Sequence, residues 1–133
     1  MQLKITIPPQ KNSFVTVNNI WTVKAMVDTG ATISGITSKM IILMGLKPAS
    51  EDSFTTAQGS GTAKIYVLDV IFPEGKVFEN IEALEIAGDG HSDFLIGMNI
   101  ISQGDMALTS VNGRSAFSFR TPPAERYIDF KQE

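Results

Sequence analysis

The run Ala25-Met26-Val27-Asp28-Thr29-Gly30-Ala31 carries an apolar strand straight into Asp-Thr-Gly, setting a carboxylate on a tight turn at the edge of a core. A carboxylate so placed can give or take a proton if a second acid stands beside it. The 133-residue chain holds one such tripeptide. If Asp28 is catalytic, a second carboxylate must come from elsewhere, and the simplest source is a second copy of the chain. At average residue usage an Asp-Thr-Gly would arise in a chain of this length with a probability of about 3%. Context sharpens it: Val23, Ala25 and Val27 alternate with Lys24 and Met26, a strand signature. Gly30 supplies the permissive backbone that a sharp exit needs. The plainer reading is an ordinary turn between two strands.

Other groups able to do chemistry carry less. His91 sits in Gly88-Asp89-Gly90-His91-Ser92-Asp93, a composition that reads as a solvated turn, and a lone His makes a poor zinc site. Gly59-Ser60-Gly61 lacks the further Gly and the Lys-Ser/Thr of a phosphate-binding loop. There is no Gly-x-Ser-x-Gly elbow, and with no cysteine in the chain Cys-His catalysis is excluded. Trp21 falls within a strand and reads as core or interface. Asp69 stays open as a second acid, which would make a monomeric enzyme feasible.

The bulk numbers bound these readings. A chain of this length is one domain able to bury its own core. Its 43% hydrophobic and 19% charged residues describe a globular chain. A net charge of −3 without a long run of one sign argues against a nucleic-acid groove. Nothing resembles a signal peptide or a membrane span, so no membrane partner is expected and a cytoplasmic protein is the default.

The elements that must position Asp28 are mostly β. Leu3, Ile5 and Ile7 alternate up to Pro8-Pro9; Phe14 to Val17 follows, then the turn Asn18-Asn19 and a strand from Ile20 to Val27. Ser38 to Gly45 predicts a short helix, with Ser38 as cap and Met40, Ile41, Leu43 and Met44 as its apolar face. Strands are expected over Thr62 to Phe72, Val77 to Ile86 and Asp93 to Ile96, then a helical turn over Met98 to Gln103. Met106 to Val111 and Ser115 to Phe119 flank Asn112-Gly113, a strong hairpin signal. The organisation expected is a domain over 1–121 and a charged, poorly packed tail over 122–133.

Three features now stand in order: Asp28-Thr29-Gly30 ending a strand, the Gly-rich tip Gln58-Gly59-Ser60-Gly61, and Leu95-Ile96-Gly97 leading into a short helix. This order resembles the retropepsin family, the single-lobed aspartic proteases, over roughly residues 3–110. The resemblance implies an all-β, closed barrel-like acid-protease fold with one or two short helices, of the cellular or bacterial type. It implies a homodimer in which two Asp28 residues share a proton and activate a water against a peptide carbonyl. The substrate would be an extended peptide; no metal and no cofactor is required. Thr29 would hold the two Asp loops in register, and Gly30 and Ala31 would lie against substrate backbone. Gln58, Gly59, Ser60 and Gly61 would cover the substrate as a flap. Leu95, Ile96 and Gly97 would support the Asp loop, with Gly97 permitting close packing.

The chain also departs from the viral pattern. Viral members commonly pair an Asp and an Arg at the positions of Thr32 and Met98, and here both partners are absent together. Viral members end near the strand at Met106 to Thr109, whereas this chain continues through Asn112-Gly113 to Phe119. That hairpin is expected to build the dimer sheet, or else to cover a barrel edge. Two alternatives stand beside the protease: a catalytically silent dimerisation or peptide-binding module of the same fold, and an unrelated β-domain with a coincidental tripeptide.

Overall fold

In the computed structural model, which describes residues 1–7 and 20–132, the chain runs β1 (Gln2–Thr6), β2 (Ile20–Val27), β3 (Ser34–Thr37), α1 (Ser38–Met44), β4 (Ser50–Thr56) and β5 (Gly59–Ile71). It continues through β6 (Val77–Ile86), β7 (Phe94–Ile96), α2 (Met98–Ile101), β8 (Asp105–Val111) and β9 (Arg114–Arg120). The strand expected over Phe14 to Val17 and the turn at Asn18-Asn19 lie outside the described residues.

Alternation decides which side of each strand faces in. On β1, Leu3 and Ile5 are fully buried, and on β2 Val23 and Ala25 follow the same two-residue period. The strands join in the order β1-β2-β7-β3-β6-β5, and β5 pairs back onto β1, closing a six-stranded barrel. β4 hangs outside the ring on β5. Two pairings are parallel, β2 with β7 and β3 with β6, which brings the ends of β2 and β7 to one rim. The interior is filled by Leu3, Ile5, Val23, Ile36, Leu68, Val70, Phe94, Ile96 and Ile100. Each such side chain contributes about 1.5–3 kcal/mol on leaving water. Trp21 is half-buried against this cluster.

Several expectations need correction. The cap of α1 is Thr37, whose Oγ1 accepts the Met40 N–H at 3.4 Å, whereas Ser38 donates its hydroxyl to Ile86 O. Leu43 is exposed, because the helix is short and only Met40, Ile41 and Met44 reach the barrel. β3 has no counterpart among the expected strands: its four residues, Ser-Gly-Ile-Thr, are too short and mixed to show a period, yet all are buried between β6 and β7. Asp69 marks a bulge in β5, where its Oδ1 accepts the Asn80 N–H at 2.9 Å and holds Asn80 at φ 54°.

β8 and β9 form a separate two-stranded sheet turned by Asn112 and Gly113, both at positive φ (51° and 75°), as a tight hairpin requires. The root of this hairpin is held by Met106 and by Phe119, whose ring lies 5.4 Å from Phe72 and 5.9 Å from Phe78. Beyond the root, Leu108 and Val111 are exposed. Residues 122–131 are exposed too, although Ala124 N–H donates to Asp105 Oδ2, which also receives Arg120 Nε at 2.9 Å. These two donors hold the Asp105 carboxyl below its usual range, the main-chain N–H contributing most.

Candidate active site

Asp28 is the first residue past β2, and its main chain continues the β2–β7 ladder by donating N–H to Ile96 O at 2.9 Å. The chain then folds on itself: Ala31 N–H donates to Asp28 O at 3.2 Å, closing a four-residue turn. Inside this turn Asp28 Oδ1 accepts the Gly30 N–H at 3.0 Å, which orients the carboxylate. Asp28 and Ala31 are half-buried, while Thr29 and Gly30 are exposed. The loop therefore presents a fixed acid beside an uncovered Thr-Gly edge.

Beneath the loop, β7 runs into α2 and stitches it down. Met98 N–H donates to Ala31 O at 2.7 Å and Asn99 N–H to Thr32 O at 3.2 Å. Gly97 lies between these contacts. A Cβ on Gly97 would stand 2.8 Å from Ile33 C and Ser34 N and 2.9 Å from Ala31 O, distances that no side chain accommodates against backbone. Glycine is required there by close approach of two main chains. Thus Asp28, Thr29, Gly30, Ala31, Leu95, Ile96 and Gly97 come together at one rim.

Gln58, Gly59, Ser60 and Gly61, expected to act as a flap, lie on a different element. β5 joins β6 only from Ile65 onward, so among the described strands Gly59 to Lys64 pair with β4 and not with β6, forming a two-stranded arm. At about 3.3 Å per residue the arm extends roughly 20 Å. Its tip is Ala57-Gln58, between the paired Thr56 and Gly59, so Gly59, Ser60 and Gly61 belong to the strand and not to the turn. Gln58, Gly59 and Ser60 are exposed, and Gly61 is half-buried.

Two residues of the rim were missed in the sequence. Ser34, fully buried, accepts the Gly97 N–H on its Oγ at 3.0 Å and donates that hydroxyl to Asn99 Oδ1 at 2.7 Å. Asn99 Oδ1 also accepts Ser34 N–H at 3.0 Å, while its Nδ2 donates to Glu82 O at 2.8 Å. The available signal was a polar residue set among apolar ones on each side of the site, Ile33-Ser34 and Asn99-Ile100. The side chains of Thr32 and Met98, where a charged pair is absent, are exposed; both residues act here through their main chains. In the His91 loop, Asp89 Oδ1 accepts the N–H groups of His91 and Ser92, which lower its pKa and account for the turn.

Comparison with known proteins agrees with this geometry. Residues 14–103 match the family described as "gag-polyprotein putative aspartyl protease". Among solved structures, the Simian Foamy Virus (mac) protease superposes with a TM-score of 0.50 at 20% identity, covering 77% of this chain and 92% of that one. A retropepsin-like aspartic protease from Rickettsia conorii gives a TM-score of 0.49 at 22% identity, covering 84% of this chain and 76% of that one. No curated protein sequence matches the chain. The barrel, the Asp28 turn and the match over most of the sequence agree, and the chain belongs to the retropepsin-like gag-polyprotein aspartyl protease family.

Proposed function

We propose that this protein is an aspartic endopeptidase whose active site forms when two copies bring their Asp28 loops together about a twofold axis. The observation that carries the reading is the Asp28 carboxylate, held by Gly30 N–H on a turn that leaves Thr29 and Gly30 uncovered. The turn itself contains one acid, and a second copy supplies its partner by symmetry. Two carboxylates at hydrogen-bonding distance share one proton, because ionising both is costly.

The chemistry follows from that shared proton. The ionised Asp28 takes a proton from a water placed between the pair, and the water oxygen attacks the scissile carbonyl carbon. The protonated Asp28 of the other copy donates to the carbonyl oxygen. Collapse of the tetrahedral intermediate breaks the C–N bond as the Asp28 that took the water proton passes it to the leaving nitrogen, while the former carbonyl oxygen returns its proton to the other Asp28 and restores the shared proton. Thr29 would meet its counterpart across the axis, and Gly30 and Ala31 would lie along the peptide backbone. The arm bearing Gln58, Gly59, Ser60 and Gly61 would close over the substrate and exclude water. Leu95, Ile96 and Gly97 would keep the loop at its height.

In this reading residues 1–121 form the catalytic unit, residues 122–133 are an appended tail, and the β8–β9 hairpin pairs the two copies. Its outer strand edges, unpaired among the described residues, and the exposed Leu108 and Val111 support that role. Dilution tests the reading. Specific activity should fall as the dimer dissociates, and a constant value across a wide dilution series would exclude a site shared between copies.

A further inference from the structure

We propose that Asn112 is a self-modification site, losing its side-chain amide to attack by the Gly113 nitrogen at a rate gated by opening of the β8–β9 turn. Of the six asparagines in the chain, Asn112 is the one that precedes glycine. Asn19, Asn80 and Asn99 precede isoleucine, whose branched Cβ crowds its own nitrogen, and Asn12 and Asn18 precede Ser and Asn. The space at Gly113 is open, since a Cβ built there would meet nothing within 4 Å. Both turn residues are exposed and stand outside the ladder, whose last pair is Val111 with Arg114.

The step needs no reagent but water. Gly113 N–H gives its proton to solvent base, and the nitrogen attacks Asn112 Cγ. A new C–N bond closes a five-membered ring, the Cγ–Nδ2 bond breaks, and the amide nitrogen leaves as ammonia with a proton from water. A further water opens the ring at either carbonyl, leaving Asp or isoaspartate at position 112, with no oxidation or reduction. Ring closure requires Asn112 Cβ, Cα and C and the Gly113 nitrogen to lie near one plane. The formed turn opposes this. With φ of 51° and 75°, Asn112 and Gly113 have the I′ arrangement, in which ψ of the first residue is about +30° and the four atoms are far from coplanar.

Opening is easy at this end of the hairpin. Leu108 and Val111 are 68% and 71% exposed, and the packing of Met106 and Phe119 against the core lies at the other end. Of the hairpin's charged residues, Asp105 and Arg120 pair at the root, so Arg114 is the one that adjoins the turn. Its cation favours loss of the Gly113 proton. The two products differ in consequence. Asp-Gly suits the same turn, whereas isoaspartate adds a methylene to the main chain, and a two-residue turn no longer sets the register.

The test incubates the intact chain in mildly alkaline buffer, native and in denaturant, and follows peptide masses together with an isoaspartate-specific methyl-transfer assay. Asn112 should be the first asparagine modified in both, and about tenfold or more slower in the native chain. Val111→Gly, at an exposed position, should loosen the last pair and raise the native rate about threefold or more. Native chains carrying isoaspartate should show shifted amide resonances along β8 and β9, which Asn112→Asp leaves near those of wild type. Equal rates in native and denatured chains would refute the gate. Another asparagine modified before Asn112, or a native chain unmodified at Asn112 after the denatured one is converted, would refute the site. Neither readout uses peptide cleavage, so the result stands apart from the protease reading.

Discussion

The rim that carries Asp28 and the hairpin that follows it are built from similar residues but held in different ways. At the rim, the loop after β2 is tied to β7 and α2 by main-chain bonds from Asp28, Met98 and Asn99, with the buried Ser34 beneath. The hairpin β8–β9 is a two-stranded sheet anchored at one end by Met106 and Phe119, with Leu108 and Val111 in solvent. One region has its loop tied down by main-chain bonds and a buried serine within a single chain, although Thr29, Gly30 and the Met98 side chain stay exposed. Among the described residues, the other leaves strand edges and side chains for something else to cover. Rigidity belongs where a carboxylate must be aimed, and unfinished surface belongs where a second copy is proposed to arrive.

This contrast can be broken by substitution. Truncating Phe94, fully buried in the barrel, to Ala should cost about 3–5 kcal/mol of stability in chemical denaturation. Gly97→Ala should cost about 1–3 kcal/mol and remove activity beyond its effect on folding, because the new methyl meets backbone atoms of the Asp28 loop. A Gly97→Ala protein with wild-type stability and turnover would show that the loop is not packed as described. Leu108→Ser should change folding stability by no more than about 0.5 kcal/mol, yet weaken self-association in sedimentation if the hairpin pairs two copies. An unchanged association constant would move the interface elsewhere.

The smallest effect concerns the tail. The lowered Asp105 carboxyl belongs to the folded chain, so its contribution is present above the ordinary Asp value of about 3.9 and is lost as pH falls through the lower folded value. Acidification through that window should release the Ala124 N–H, read as loss of its hydrogen-exchange protection, while the barrel stays folded. Protection of Ala124 that persists below the window would assign its hydrogen bond to another acceptor.

Much of the scaffold was legible because strand period and turn chemistry are local properties. Ile20 to Val27 and Val77 to Ile86 alternate strongly enough to show their bounds, and Asn112-Gly113 announces its hairpin. Asp28 was legible because a polar triplet ends an apolar strand. What stayed hidden depends on contacts distant in sequence. β3 is a strand because β6 and β7 flank it, not because Ser34 to Thr37 favour one. Asn99 matters because a residue 65 positions earlier turns two donors toward it. The flap tip was misplaced by two residues because glycine marked the turn, whereas pairing places Ala57-Gln58 there. Asp69, open as a second acid from sequence, is taken up by a bulge that only the β5–β6 register reveals.

The most direct measurement is cleavage of a mixed peptide library from acid to neutral pH at high protein concentration. Wild type and Asp28→Asn would be compared, with the dimer content of each determined in the same buffers. Wild type should cleave extended peptides, losing activity as pH rises, and Asp28→Asn should be at least about 10³-fold slower while equally dimeric. Equal cleavage by both proteins, or none by either in fully dimeric samples, would contradict it.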